Sequence, residues 1–81
     1  MKVRVLFFSV LRDITGTPEI ECDLPQGARL ADLLTDLFGR WPELKRWDSS
    51  LLLAVDHDYV KRDAALVDGC EIALMPPVQG G

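Results

Sequence analysis

The first eleven positions are dominated by apolar residues. Lys2-Val3-Arg4-Val5-Leu6-Phe7-Phe8-Ser9-Val10-Leu11 is rich in β-branched and aromatic types and predicts a strand. Arg12-Asp13-Ile14-Thr15-Gly16-Thr17 breaks that pattern, and Pro18 to Leu24 predict a second strand with Ile20 and Cys22 on one face. The connection is too long for a two-residue hairpin turn. After Pro25-Gln26-Gly27 the apolar period lengthens. Leu30, Leu33, Leu34, Leu37 and Phe38 fall at i, i+3, i+4, i+7 and i+8, the single stripe of an amphipathic helix. Gly39 is placed to stop it. Its start is poorly capped, with Gly27 and Ala28 where Ser, Thr or Asp would serve better.

Arg40 to Ser50 is polar, carries Trp41 and Trp47, and reads as irregular with a short helical turn after Pro42. Ser50 to Asp56 predicts a third strand, Tyr59-Val60 a short edge strand, Asp68-Gly69 a turn, and Cys70 to Met75 a last strand. The order β-β-α-β-(β)-β implies an α+β fold. One mixed sheet of four to five strands would carry one main helix on one face, the β-grasp arrangement. Residues 1–75 form the body and residues 76–81 a flexible tail.

Strand parity exposes an anomaly. If Arg4, Asp56 and Glu71 face solvent, then Val3, Val5, Phe7, Cys70, Ile72 and Leu74 point inward. The opposite face then carries Leu6, Phe8, Leu52, Ala54, Ala73 and Met75. A sheet with one solvated face should alternate apolar with polar, and here it does not. Either this face receives a partner, or the strand parity is misassigned, or the Arg40–Ser50 segment with Trp41 and Trp47 folds over it.

Composition narrows the function. The chain has 81 residues, 48% of them hydrophobic, enough for one small core. Nine basic against thirteen acidic residues give a net charge of −4. That balance argues against nucleic acid and suits docking onto a basic protein surface. No stretch approaches the roughly 18 apolar residues of a membrane span, and no signal peptide is legible, so a cytoplasmic location is expected. Cys22 and Cys70 are far apart and form no C-x-x-C pair. Buried free thiols are favoured over a single disulfide. Asp56-His57-Asp58 is only superficially a metal or general-base cluster, and a solvated loop or strand end accounts for it. No bound cofactor or metal is expected.

The chain ends in Pro76-Pro77-Val78-Gln79-Gly80-Gly81. Two terminal glycines bury no surface and are costly to order. They suit a chain whose terminal carboxylate reacts, because the acyl carbon can enter a narrow slot without a neighbouring Cβ. Neither G-x-x-x-x-G-K-[ST] nor G-x-G-x-x-G occurs, so a separate enzyme would have to use ATP to activate that carboxylate.

Val5-Leu6-Phe7-Phe8 with Arg12-Asp13 and Gly16-Thr17 resembles the small subunit family of molybdopterin synthase. So do Leu52-Leu53-Ala54-Val55, Asp68-Gly69 and, above all, Glu71 to Gly81. The resemblance covers essentially the whole chain. It implies a ubiquitin-like sulfur carrier, not an enzyme by itself. An E1-like adenylyltransferase would adenylate Gly81, and a persulfide donor would then convert it to a thiocarboxylate. Docked on the large catalytic subunit, the tail would deliver sulfur to cyclic pyranopterin monophosphate to build the dithiolene. Gly81 would carry the chemistry and Gly80 would supply conformational freedom. Pro76 and Pro77 would stiffen the exit, with Val78 and Gln79 threading into the partner. The family's apolar docking positions correspond to Phe8, Tyr59 and Met75, flanked by Leu6. A thiamine-pathway carrier, a ubiquitin-like modifier and a non-covalent β-grasp module are the alternatives.

Overall fold

The computed structural model describes residues 1–77. Five strands, β1 (Lys2–Phe7), β2 (Glu19–Asp23), β3 (Leu52–Val55), β4 (Asp58–Tyr59) and β5 (Glu71–Met75), form one sheet in the order β2-β1-β5-β3-β4. β1 and β5 run parallel at its centre, and the other pairs are antiparallel. The helix α2 (Leu30–Arg40) packs on one face. This is the expected β-grasp arrangement.

The core lies between that face and α2. Val3, Val5, Phe7, Ile72 and Leu74 meet Leu30, Leu33, Leu34 and Leu37, all nearly inaccessible to solvent. The inward parity read from β1 and β5 is therefore correct, and so is the helical stripe.

The predicted strand over residues 2–11 is too long. β1 ends at Phe7, and residues Val10–Thr15 form a short helix, α1. Ser9 adopts φ 56°, ψ −130°, which leaves the strand and lets Leu11 turn into the core. Gly16, at φ 75°, closes α1 in the left-handed conformation that favours glycine, its N–H bonded to the Arg12 carbonyl. The segment read as a pattern break is thus a helical turn.

Gly39 does not stop α2. The helix runs through it to Arg40, and Pro42 sets the end, because the residue before a proline is pushed out of the helical region. Trp41 is that residue (φ −129°, ψ 85°), and its N–H still reaches the Leu37 carbonyl at 2.8 Å. A Cβ at Gly39 would meet nothing within 4 Å. Gly39→Ala should therefore raise unfolding free energy by about 0.5–1 kcal/mol in urea titration, since glycine costs about that much in a helix. An unchanged or lower midpoint would contradict this account.

The helix start is capped from a distance. The Arg29 N–H bonds Asp32 Oδ2 at 2.8 Å, while the N–H groups of Leu30 and Ala31 donate to the carbonyls of Ala64 and Arg62 at 2.9 and 2.8 Å. The free amides of the first turn are satisfied by the loop before β5, so weak residues at Gly27 and Ala28 do no harm. Residues Pro42–Ser50 form a longer 3₁₀ segment than the single turn expected. It also lies on the core side. Trp41 meets Phe7 edge to face with ring centroids 5.7 Å apart, and Trp47 packs against the same core.

Both cysteines are buried and free. Cys22 pairs with Val3 in β2, and the Cys70 carbonyl accepts the Arg4 N–H, so the two thiols flank β1 from opposite sides. Two inter-strand steps separate their backbones by about 9–10 Å, whereas a disulfide needs Cα atoms within about 7 Å. The geometry excludes a bond between them. Burial also pushes the Cys22 thiol above its ordinary pKa, with Arg40 opposing in part.

Candidate functional site: the uncovered sheet face and the tail exit

Strand register arranges the face away from α2 into rows that cross the sheet. The pairings Glu19–Leu6, Leu6–Ala73, Ala73–Ala54 and Ala54–Tyr59 make one row, apolar through its middle. The next row toward the C-terminus of β5 holds Leu52 beside Met75, with Phe8 on the other side of β5, where its N–H bonds the Leu74 carbonyl at 3.2 Å. In the opposite direction the row is ionic. Arg4 faces Glu21 on one side and Glu71 on the other.

The face thus grades from charged to apolar toward the end of β5, where the chain leaves the body. Neither tryptophan covers it. A shallow depression of about 270 Å³ lies there, lined by Leu6, Phe8, Ala54, His57, Tyr59, Glu71, Ala73 and Met75. Phe8 is 44% and Tyr59 74% exposed, unusual for large side chains with apolar neighbours. Ala54 is buried although it belongs to this face, being small and flanked by strands on both sides. A larger groove of about 540 Å³, lined by Leu51, Leu53, Val60, Lys61, Arg62 and Asp63, lies on the inward-parity side of β3. It shares no residue with the face beside the tail.

The ionic row is tightly knit. The Arg4 guanidinium hydrogen-bonds the Glu71 carboxylate and lies 3.8 Å from Glu19, while Lys2 lies 3.7 Å from Glu21. The Glu71 hydrogen bond and charge raise the Arg4 pKa above its ordinary value. These exposed pairs contribute little stability individually. Their effect is to hold charged groups in a line along one border of the apolar patch.

The structure therefore brings together Leu6, Phe8, Tyr59 and Met75, four residues expected to bind a partner. Pro76 and Pro77 follow directly, half-buried and outside the ladder. Val78, Gln79, Gly80 and Gly81 lie outside the described residues. The sequence places His57 in a solvated loop or strand end. It is exposed in the two-residue connection between β3 and β4, but it also lines the depression. Sequence missed this because parity says nothing about where a turn residue projects. Among the described residues no group of three or more His, Cys, Asp or Glu side chains is arranged to hold a metal ion. No described helix is long and apolar enough to cross a membrane.

A β-grasp body with an uncovered apolar face beside its C-terminal exit defines a small ubiquitin-like protein. The model of the ThiS family matches residues 5–81, and the chain belongs to that family. It is 38% identical over 81 residues to the molybdopterin synthase sulfur carrier subunit of Escherichia coli, covering 98% of this chain and 99% of that protein. A solved structure from Pyrococcus furiosus, described as molybdopterin converting factor subunit 1, superposes with a TM-score of 0.88 at 34% identity, over 96% of this chain and 99% of that one. A chain from the complex of subunits 1 and 2 of the Helicobacter pylori molybdopterin-converting factor matches with a TM-score of 0.69 at 27% identity, over the full length of both.

Proposed function

We propose that this chain is the sulfur carrier subunit of molybdopterin synthase and that its body docks on the large catalytic subunit through the face around Phe8, Tyr59 and Met75. One observation carries the reading. Met75 is both the last residue of β5 and a member of the apolar patch, so a protein that covers the patch receives the tail. Six extended residues from Pro76 reach at most about 20 Å, enough to enter a pocket in that protein. The name of the Escherichia coli relative and the two-subunit complex from Helicobacter pylori support the same assignment.

The chemistry follows from the carboxylate of Gly81. An E1-like adenylyltransferase joins it to the α-phosphate of ATP and releases pyrophosphate, which replaces a poor electrophile by an acyl adenylate. A persulfide sulfur attacks the acyl carbon and AMP leaves. A thiol then cleaves the sulfur–sulfur bond to release the thiocarboxylate. On the large subunit that sulfur passes to cyclic pyranopterin monophosphate, and a second loaded carrier completes the dithiolene. The body supplies binding and aim, while catalytic side chains belong to its partners. Neither nucleic acid nor membrane takes part, and the cycle runs in the cytoplasm.

The test is an intact-mass measurement after co-expression with the activating enzyme and a sulfur donor. A population with one oxygen replaced by sulfur, localised to Gly81 by fragmentation, is the expected result. Its complete absence while a known carrier is loaded in parallel would remove the reading.

A further inference from the structure

The connection between β3 and β4 is a two-residue turn in which both residues have positive φ, Asp56 at 49° and His57 at 75°. Such hairpin turns match strand twist but need left-handed backbone, so Asn-Gly or Asp-Gly is strongly preferred. Asp56 is explained by its bonds. Its N–H donates to the Glu71 carbonyl at 2.8 Å, and its Oδ1 accepts the Glu71 N–H at 3.0 Å. His57 has no such explanation. Among the described residues its imidazole makes no hydrogen bond or ion pair, and a bulky side chain here carries a conformational cost that glycine would avoid. Yet this residue lines the depression with Phe8, Tyr59 and Met75, at the end bounded by Glu71.

A positive-φ residue with no local partner, lining the face proposed to dock, is a position from which a function can be inferred. We propose that His57 is a specificity-determining contact, meeting a hydrogen-bonding group of the large subunit at the border of the apolar patch. The inference rests on the docking reading above. Apolar burial is non-directional and cannot by itself fix orientation or reject a wrong partner. An imidazole N–H covered by the interface loses water and needs a partner there, so the correct surface is one that supplies it. No described group, Glu71 included, bonds the His57 imidazole, which leaves it available to the docked protein.

The experiment compares the parent chain with His57→Gly, His57→Asn and Phe8→Asp. It measures Kd for the purified large subunit of the same organism by calorimetry, and the thermal midpoint of each chain alone. His57→Gly should melt at or above the parent temperature yet bind at least about five-fold more weakly, the loss of roughly one hydrogen bond. His57→Asn, which tolerates positive φ and retains a polar amide, should recover most of the affinity. Unchanged affinity in His57→Gly overturns the proposal, as does a lowered midpoint that accounts for the weaker binding. If the parent chain does not bind, the docking reading falls and this inference with it. If the parent binds, Phe8→Asp does not and His57→Gly does, the failure is confined to His57.

Discussion

Appending one residue after Gly81 should abolish molybdopterin formation while leaving the fold and the docking affinity unchanged. In the proposed mechanism the reacting atom is the terminal acyl carbon, and an extra residue moves the free carboxylate to a different position and adds a Cβ if it is not glycine. Activation would then require the enzyme's pocket to accept a longer tail, and delivery would require the same of the large subunit. Catalysis of this kind tolerates little displacement, since a misplacement of about 1 Å can cost about 100-fold in rate. Two successive transfers compound the loss. The body should not notice, because the five strands, α2 and the cap of α2 are complete before Pro76. The readout is molybdopterin formed in a reconstituted system, with calorimetric binding and thermal unfolding as controls. Substantial product from the extended chain would contradict the carboxyl-terminal mechanism and leave a non-covalent β-grasp module as the better description.

The second large effect is expected from Phe8→Asp. Phe8 lines the apolar depression beside Met75 and is nearly half exposed. Aromatic anchors in the middle of an interface commonly contribute about 2 kcal/mol or more, or about 30-fold in Kd. A carboxylate there is worse than a truncation, because docking would strip its water without offering a cation. The Arg4 guanidinium lies a row beyond Leu6 and is already engaged by Glu71 and Glu19. Stability should change by less than about 0.5 kcal/mol, since the side chain faces away from α2 and leaves the core intact. Calorimetry and urea unfolding separate the two quantities. Undiminished affinity would move the docking surface elsewhere, and the groove around Leu53 and Val60 would be the next place to look.

Much of this was legible in the chain because the relevant forces are local or periodic. The alternation in β1 and β5 and the five-residue stripe of α2 identified the core, since burial of one face imposes a period on each element. Parity alone also exposed the apolar excess opposite that core. Other features depend on neighbours distant in sequence. The Arg12–Thr17 segment looked like a break, but its Leu11 flank could be buried only by turning under the sheet as α1. Gly39 looked like a stop, yet helix termination was decided by the backbone clash at Trp41-Pro42. The distant part of the α2 cap could not be read, because the acceptors for Leu30 and Ala31, the carbonyls of Ala64 and Arg62, lie about thirty residues away.

The sequence by itself determined the β-grasp class and the inward and outward faces of the strands, and suggested the carboxyl-terminal chemistry proposed above. These follow from residue period and from the special freedom of glycine. Only the tertiary structure decided that Trp41 and Trp47 leave the outer face open, that Cys22 and Cys70 stand too far apart to bond, and that His57 joins the apolar outer face. Each of those depends on strand order and turn conformation, where long-range packing and a two-residue left-handed turn, not local pattern, set the outcome.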